Sequence, residues 1–266
     1  MKTSHAVVAG LLLAASSALA APVEKLTWCE TMVTGQGEAE RARGLAQCLP
    51  EVLVKVSGDP RLAADPRVEP LAARAGEFVA SLEYEDRMKA LPVGDEQGTR
   101  DRPFFLRPTF DAAKIDTLLG ELGTTAWGAD RPVVAVIAVA HRDGDTWIVA
   151  RGIKGVTRGA QVEALDAAGR RFGVPIALPQ VDRLDALGLT PAAPPPAAII
   201  KALGADALLV GDMTWDEARL GWRTDWRMVN DQATKSWSVE GVSFDDAFRA
   251  GVGGAARILS GHGAPM

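Results

Sequence analysis

Apolar residues recur along Glu38–Ser57 at Leu45, Cys48, Leu49, Val52, Leu53 and Val56. That spacing of i, i+3, i+4 and i+7 marks one face of a helix. Glu38 and Glu40 fall in the first turn, where carboxylates favour the helix dipole. Ser57-Gly58 stops the run and Pro60 follows it. Pro50 removes one backbone hydrogen bond inside it. The apolar register continues through Pro50, so the pattern predicts one kinked helix. A restart with Pro50 at the first helical position is the alternative.

The same reading extends in both directions. Leu26 to Val33 is rich in Thr, Val and Trp and reads as a strand. A second helix carries Val68, Leu71, Ala72, Ala75, Phe78 and Val79 on one face. Leu82, Tyr84, Asp86 and Met88 alternate with Glu83, Glu85 and Arg87, as on a half-buried strand. Pro92 to Asp101 is a polar hairpin loop, and Pro103 to Phe110 the return strand. Asp111 caps a helix bearing Ile115, Leu118, Leu119 and Leu122.

Beyond the connector 124–132, Val133 to Ala140 is apolar without alternation, which suits a strand covered on both faces. Trp147 to Val149 pairs back across the turn at His141–Asp145. A helix over Gly159 to Phe172, a short strand over Val174 to Leu178 and a helical turn over Asp182 to Leu187 follow. Ala192-Ala193-Pro194-Pro195-Pro196 is a stiff spacer. Ala197 to Leu203 is a helix and Asp206 to Met213 a second buried strand. Leu220 to Val229 and Lys235 to Gly241 form a hairpin across Asn230-Asp231, and Phe244 to Leu259 is the closing helix. The expected class is α/β, an α+β half over 21–123 packed with a Rossmann-like α/β sandwich over 133–260.

The first residues change the picture of where this chain works. Lys2, an apolar core from Ala6 to Ala15 and the small-x-small site Ala18-Leu19-Ala20 form a signal peptide, residues 1–20, with cleavage after Ala20. The expectation is a periplasmic protein without a transmembrane anchor, since no later stretch approaches about 20 apolar residues. Net charge is −5 and the pI about 5.3, which argues against nucleic acid and anionic membranes. The chain has two cysteines, Cys29 and Cys48. In an oxidising compartment an even count points to a disulfide; two buried free thiols are the alternative.

Candidate chemistry is sparse. His141 lies beside a turn and His262 in the tail. No metal-binding spacing, nucleophile elbow or phosphate loop occurs, so no metal, cofactor or catalytic residue is expected. Gly251-Val-Gly-Gly254 sits inside a helix pattern and reads as close helix packing. Asp130-Arg131 beside Trp127 is either an ion pair lining a cleft or a connector locked between domains, with Arg131 donating to backbone carbonyls and Trp127 filling the seam. Trp222, Thr224, Trp226 and Met228 alternate with Arg223, Asp225 and Arg227, so a strand puts the two sets on opposite faces. With Trp237 nearby, the tryptophans either stack on a sugar or pack under the closing helix.

Three pieces carry a resemblance: Leu45…Val52-Leu53-Val54-Lys55-Val56-Ser57-Gly58-Asp59, Trp127-Gly128-Ala129-Asp130-Arg131-Pro132, and Gly204-Ala205-Asp206-Ala207-Leu208-Leu209-Val210-Gly211. With the signal peptide they resemble the bacterial family called domain of unknown function 2066 (DUF2066). That resemblance implies a Gram-negative cell-envelope protein of unestablished activity. The second half also resembles, in fold alone, Rossmann-like domains of periplasmic assembly proteins. The expected function is a non-catalytic interaction or scaffold protein with envelope protein partners. The alternatives are a small-ligand or glycan-binding module using Trp222 and Trp226, and a hydrolase whose site sequence does not display.

Overall fold

The computed structural model describes residues 26–90, 94–95, 98–99, 102–230 and 234–265. The expected signal peptide, its cleavage site at Ala20 and the Asp231 corner of the hairpin lie outside the described residues.

Helix α1 (Glu38–Ser57) runs through Pro50 as one helix and buries Leu45, Cys48, Leu49, Val52, Leu53 and Val56. It ends because Gly58 takes the left-handed conformation (φ 74°), open to glycine at no steric cost. A side chain there would also strike Ser260 and Trp127, 2.7 Å from an added Cβ. Strand β1 (Thr31–Thr34) precedes α1. The expected strand began at Leu26. Trp28 pairs with Thr109 in an isolated bridge rather than a continuous ladder, and the neighbouring acceptor is the carbonyl of Pro108, which has no N–H to return. The expected second helix is split into α2 (Val68–Ala72) and a 3₁₀ turn (Ala75–Phe78), with Gly76, a poor helix former, inside the turn. Val68, Leu71, Ala75 and Phe78 still face the core.

Strands β2 (Val79–Asp86) and β5 (Pro103–Phe110) are antiparallel and β1 pairs the other side of β5, giving the order β1-β5-β2. Between them, β3 (Gly94–Asp95) and β4 (Gly98–Thr99) form a two-residue ladder. Asp111 caps α3 (Ala112–Glu121) by accepting from the N–H groups of Ala113 and Lys114.

The second sheet has β6 (Val134–Arg142) near its centre. On one side, β9 (Ala207–Asp216) runs parallel to it, followed by the antiparallel β10 (Gly221–Val229) and β11 (Thr234–Val242). On the other side, two short strands share the edge of β6: β7 (Asp145–Ile148), antiparallel, and β8 (Ile176–Ala177), parallel. Helices α4 (Val156–Phe172) and α6 (Phe244–Leu259) pack together on one face, and α1 packs against α4. The chain is mixed α/β. One hydrophobic cluster runs from Cys29 in the first half to Ala256 in the second. The second face of the sheet carries a smaller cluster of Ala135, Ile137, Ile148, Leu189, Ile199 and Leu208. Its cover comes from a 3₁₀ turn (Val181–Arg183), the proline spacer and the short α5 (Ile199–Ala202), not from a long helix.

Cys29 and Cys48 form a disulfide with Cα atoms 5.7 Å apart, tying the first segment to the buried face of α1. Its loop spans 19 residues, which in the chain-entropy model stabilises by about 3 kcal/mol. The Cys29→Ala/Cys48→Ala double variant should therefore lose about 3 kcal/mol in urea denaturation. A loss below about 1 kcal/mol would show that the bond merely decorates a segment held by packing.

Candidate functional site

The rings of the tryptophan stripe face inward. Trp222 is 2% exposed and Trp226 1%. Trp226 lies between β9 and α6, where Gly211 and Gly251 let it in: a Cβ on either would come within 2.5 Å of the ring. Its indole N–H donates to the carbonyl of Ala247 (3.1 Å). Trp237 is half-buried against Gly254 and donates to the carbonyl of Ala250. The glycine run in the closing helix is thus the seat for these rings.

Trp127, Asp130 and Arg131 form no ion pair lining a cleft. Asp130 is exposed, while Arg131 is fully buried and donates to the carbonyls of Val56, Trp127, Gly128, Phe172 and Gly173. Its guanidinium stacks on Trp127, 4.2 Å from the ring centroid. These carbonyls belong to the C-terminal ends of α1 and α4 and to the connector, so helix dipoles supply the partial negative charge. Burial pulls Arg131 down to about 10, still charged at neutral pH.

The neighbouring turn is built as tightly. Ser57 Oγ donates to the carbonyl of Leu53 and accepts from Asp59 N–H. Burial pushes the Asp59 carboxyl up, but the hydrogen bonds from Arg61 outweigh it and hold the group below its usual range. At the end of α6, Ser260 Oγ lies 2.8 Å from His262 Nδ1, and His262 Nε2 lies 2.8 Å from Thr124 Oγ1. A serine beside a histidine has the parts of a nucleophile and base. Here, however, the C-terminal carbonyl ends of α1 and α6 meet, and Ser260 Oγ also approaches the carbonyl of Gly58 at 3.2 Å. That potential opposes an oxyanion. The contact is a latch between the halves.

A groove of about 660 Å³ lies on the other face of the second sheet. Alternation places Arg223, Asp225 and Arg227 there, away from the tryptophans. Strand pairing sets Asp212 opposite Asp225, with Ser238 beyond Asp225 and Val139 beyond Asp212. Like charges directly opposite destabilise a sheet. Here each has a nitrogen beside it: Arg223 Nε is 3.5 Å from Asp225, and His141 Nε2 is 3.4 Å from Asp212. Leu189, Pro191, Pro194 and Pro195 make an apolar wall beside this polar floor. The Asp212 and Asp225 side chains are 64% and 56% exposed. Catalytic carboxylate pairs work in water-excluded sites, and this floor is open to water. Such a surface can hold an extended polar chain by hydrogen bonds and charge. Among the described residues no group of His, Cys, Asp and Glu has a metal-binding arrangement, and no helix is long and apolar enough to cross a membrane.

Sequence reading missed Asp212, Ser236 and Ser238 as one surface. The polar half of each alternation was visible, but which strands pair was not.

One charged group stands apart. Lys55, in the last turn of α1, donates through Nζ to the carbonyl of Trp28 (2.6 Å). Burial pulls it down to about 8, against the opposing pull of Glu51, with Arg131 adding to the lowering. The unfolded chain then holds this proton up to its ordinary value of 10.5, while the folded chain releases it near 8. Stability should rise as pH increases through that window, by about 3 kcal/mol in all. Urea midpoints from pH 7 to 10.5, compared with those of Lys55→Met, test this. Parallel pH profiles would sink it.

Comparison with known proteins adds one match. Residues 20–128 match the model of a family described as a domain of unknown function (DUF8605). No curated protein and no solved structure matches the chain. The match overturns the resemblance to DUF2066, which rested on short pieces. Val-Ser-Gly-Asp and Trp-Gly-x-x-Arg-Pro are what this seam requires locally: a left-handed glycine, a capping serine and aspartate, and an arginine reaching carbonyls. Pieces so bound to local geometry carry little information about ancestry.

Proposed function

We propose that this chain is an exported protein of the cell envelope with a non-catalytic task. It holds a partner protein by an extended polar segment laid along the groove between β6, β9, β10, β11 and the proline wall. The observation that supports this is the groove itself: open to solvent, with Asp212, Asp225, Arg227, Ser236 and Ser238 on its floor beside Val139 and Val210, and apolar on its wall. The facing carboxylates Asp212 and Asp225 favour a segment that brings a basic residue to the floor. Burial of Trp222 and Trp226 leaves the sugar-stacking alternative without a platform.

The test is site-specific photo-crosslinking in cells. A photoreactive residue at Ser238 or Asp225 should capture one envelope protein, identified by mass spectrometry, through an extended segment of that protein. The same residue at Glu121, exposed on α3, should not. Equal capture at all three positions, or none in the groove, would defeat the proposal. Export rests on Lys2, the apolar core and Ala18-Leu19-Ala20. Protein recovered from the periplasm should begin at Ala21, and a product retaining Met1 would remove that part of the reading.

A further inference from the structure

We propose that the cavity between α1, α4 and the first segment, with Lys55 in its lining and Arg170 and Arg249 beside it, binds a small oxyanion: a carboxylate or phosphate group. The cavity has a volume of about 330 Å³ and is lined by Trp28, Cys29, Lys55, Ala168 and Arg171 among others. That is at the small end of ligand sites and ample for either group.

The argument starts from the charges around Lys55. An ammonium has three donors, and the carbonyl of Trp28 takes one. The Trp28 ring, 5.9 Å away, adds a weak cation–π contact. Among the described residues no carboxylate lies within ion-pair distance of Lys55. Of the acids that line the cavity, Glu51 pairs with Arg171 of the same lining at 3.1 Å, and Glu30 with Arg107 at 2.6 Å. The exposed Asp245 stays at the margin. Arg131, the fully buried cation of this seam, likewise has carbonyl acceptors and no carboxylate among the described residues.

Lys55 is half-buried and Arg131 fully buried, and among the described residues neither has a carboxylate within ion-pair distance, which is costly. An isolated structural lysine of this kind would gain from replacement by an apolar residue. Lys55 is instead placed where a cavity reaches it, with Arg170, which has no ion pair among the described residues, on the adjoining helix. An entering oxyanion would supply the missing negative charge and take the spare donors of Lys55 in charge-assisted hydrogen bonds. Because it favours the ammonium, binding and protonation of Lys55 are linked.

The experiment uses the mature protein and three probes at equal ionic strength: phosphate, succinate and chloride. Thermal unfolding should shift upward with phosphate or succinate and not with chloride. The lysine side-chain resonance of Lys55 should move with the same midpoint. Lys55→Met, which keeps the stem and deletes the charge, should weaken the response at least tenfold. Arg170→Gln, at an exposed position, should weaken it severalfold without lowering the unbound melting temperature. If Lys55→Met fails to fold, the Lys55 resonance in the unmodified protein and Arg170→Gln decide. A response to phosphate alone identifies a phosphate-bearing ligand, and a response to succinate alone a carboxylic acid. A shift equal to that in chloride, or one that persists in folded Lys55→Met, overturns the proposal.

Discussion

Arg131→Ala should destabilise the protein by about 3–5 kcal/mol, because it removes one side of a buried charge network and leaves the other side unpaired. Nε donates to the carbonyl of Gly128 at 3.1 Å. Nη1 reaches Gly173 at 2.9 Å and Phe172 at 3.3 Å; Nη2 reaches Val56 and Trp127, each at 3.1 Å. Those acceptors sit on α1, α4 and the connector, which are also joined by the Glu51–Arg171 ion pair and by the Trp127 N–H donating to the carbonyl of Val56. Without the guanidinium the Val56 carbonyl keeps the N–H of Trp127, 2.8 Å away, but the others face one another in a space water enters poorly, and each buried acceptor left alone costs about 1–3 kcal/mol. The room was made for this group: a Cβ on Gly173 would lie 2.3 Å from Nη1.

Arg131→Lys tests the geometry separately from the charge. A lysine keeps the charge but offers three donors at one point, not a planar fork. It should recover less than half of the loss. Urea denaturation of both variants measures this. A cost for Arg131→Ala below about 1 kcal/mol would mean that the seam is wet and the carbonyls find water.

The second large effect is expected at Trp226. Trp226→Ala should cost about 3–5 kcal/mol, as for other buried aromatic residues. The ring is 1% exposed, meets Phe248 edge-on at 6.3 Å and fills the space that Gly211 and Gly251 leave. Glycines on both sides cannot collapse inward to close the hole, and the carbonyl of Ala247 loses its donor. Arg223→Ala, on the opposite face of the same strand and 61% exposed, should stay near 0.5 kcal/mol. A neutral Trp226→Ala would mean that the ring is not a core residue, and sugar stacking would move ahead of protein binding.

Much of this architecture is local physics and could be read from the chain. The apolar stripe of α1, its stop at Gly58, the Asp111 cap, the bounds of α6 and the opposite faces of Trp226 and Arg223 follow from 3.6- and 2-residue periods and from single capping groups. These depend on residues within one or two turns of each other. The strand at Leu26 was read too long and the helix at Val68 too regular for the same reason in reverse: the chain pattern does not contain the partner. At Pro108 the missing donor that interrupts the first ladder lies about 80 residues away from the segment it affects.

The site is on the other side of that division. Periodicity assigns Asp212 and Asp225 to polar faces, but only strand pairing sets them opposite each other. Only the path of the proline spacer turns that face into a groove. Lys55 reads as one more charge in the last turn of a helix. Its burial, its lack of a carboxylate partner and its cavity arise when α1, α4 and the first segment close around it. Composition and local pattern determined the mixed α/β class and the opposite faces of Trp226 and Arg223, and pointed to a bond between Cys29 and Cys48. The groove, the Arg131 seam and the buried lysine were decided by tertiary structure, because each is a relation between charges that only folding brings within reach of one another.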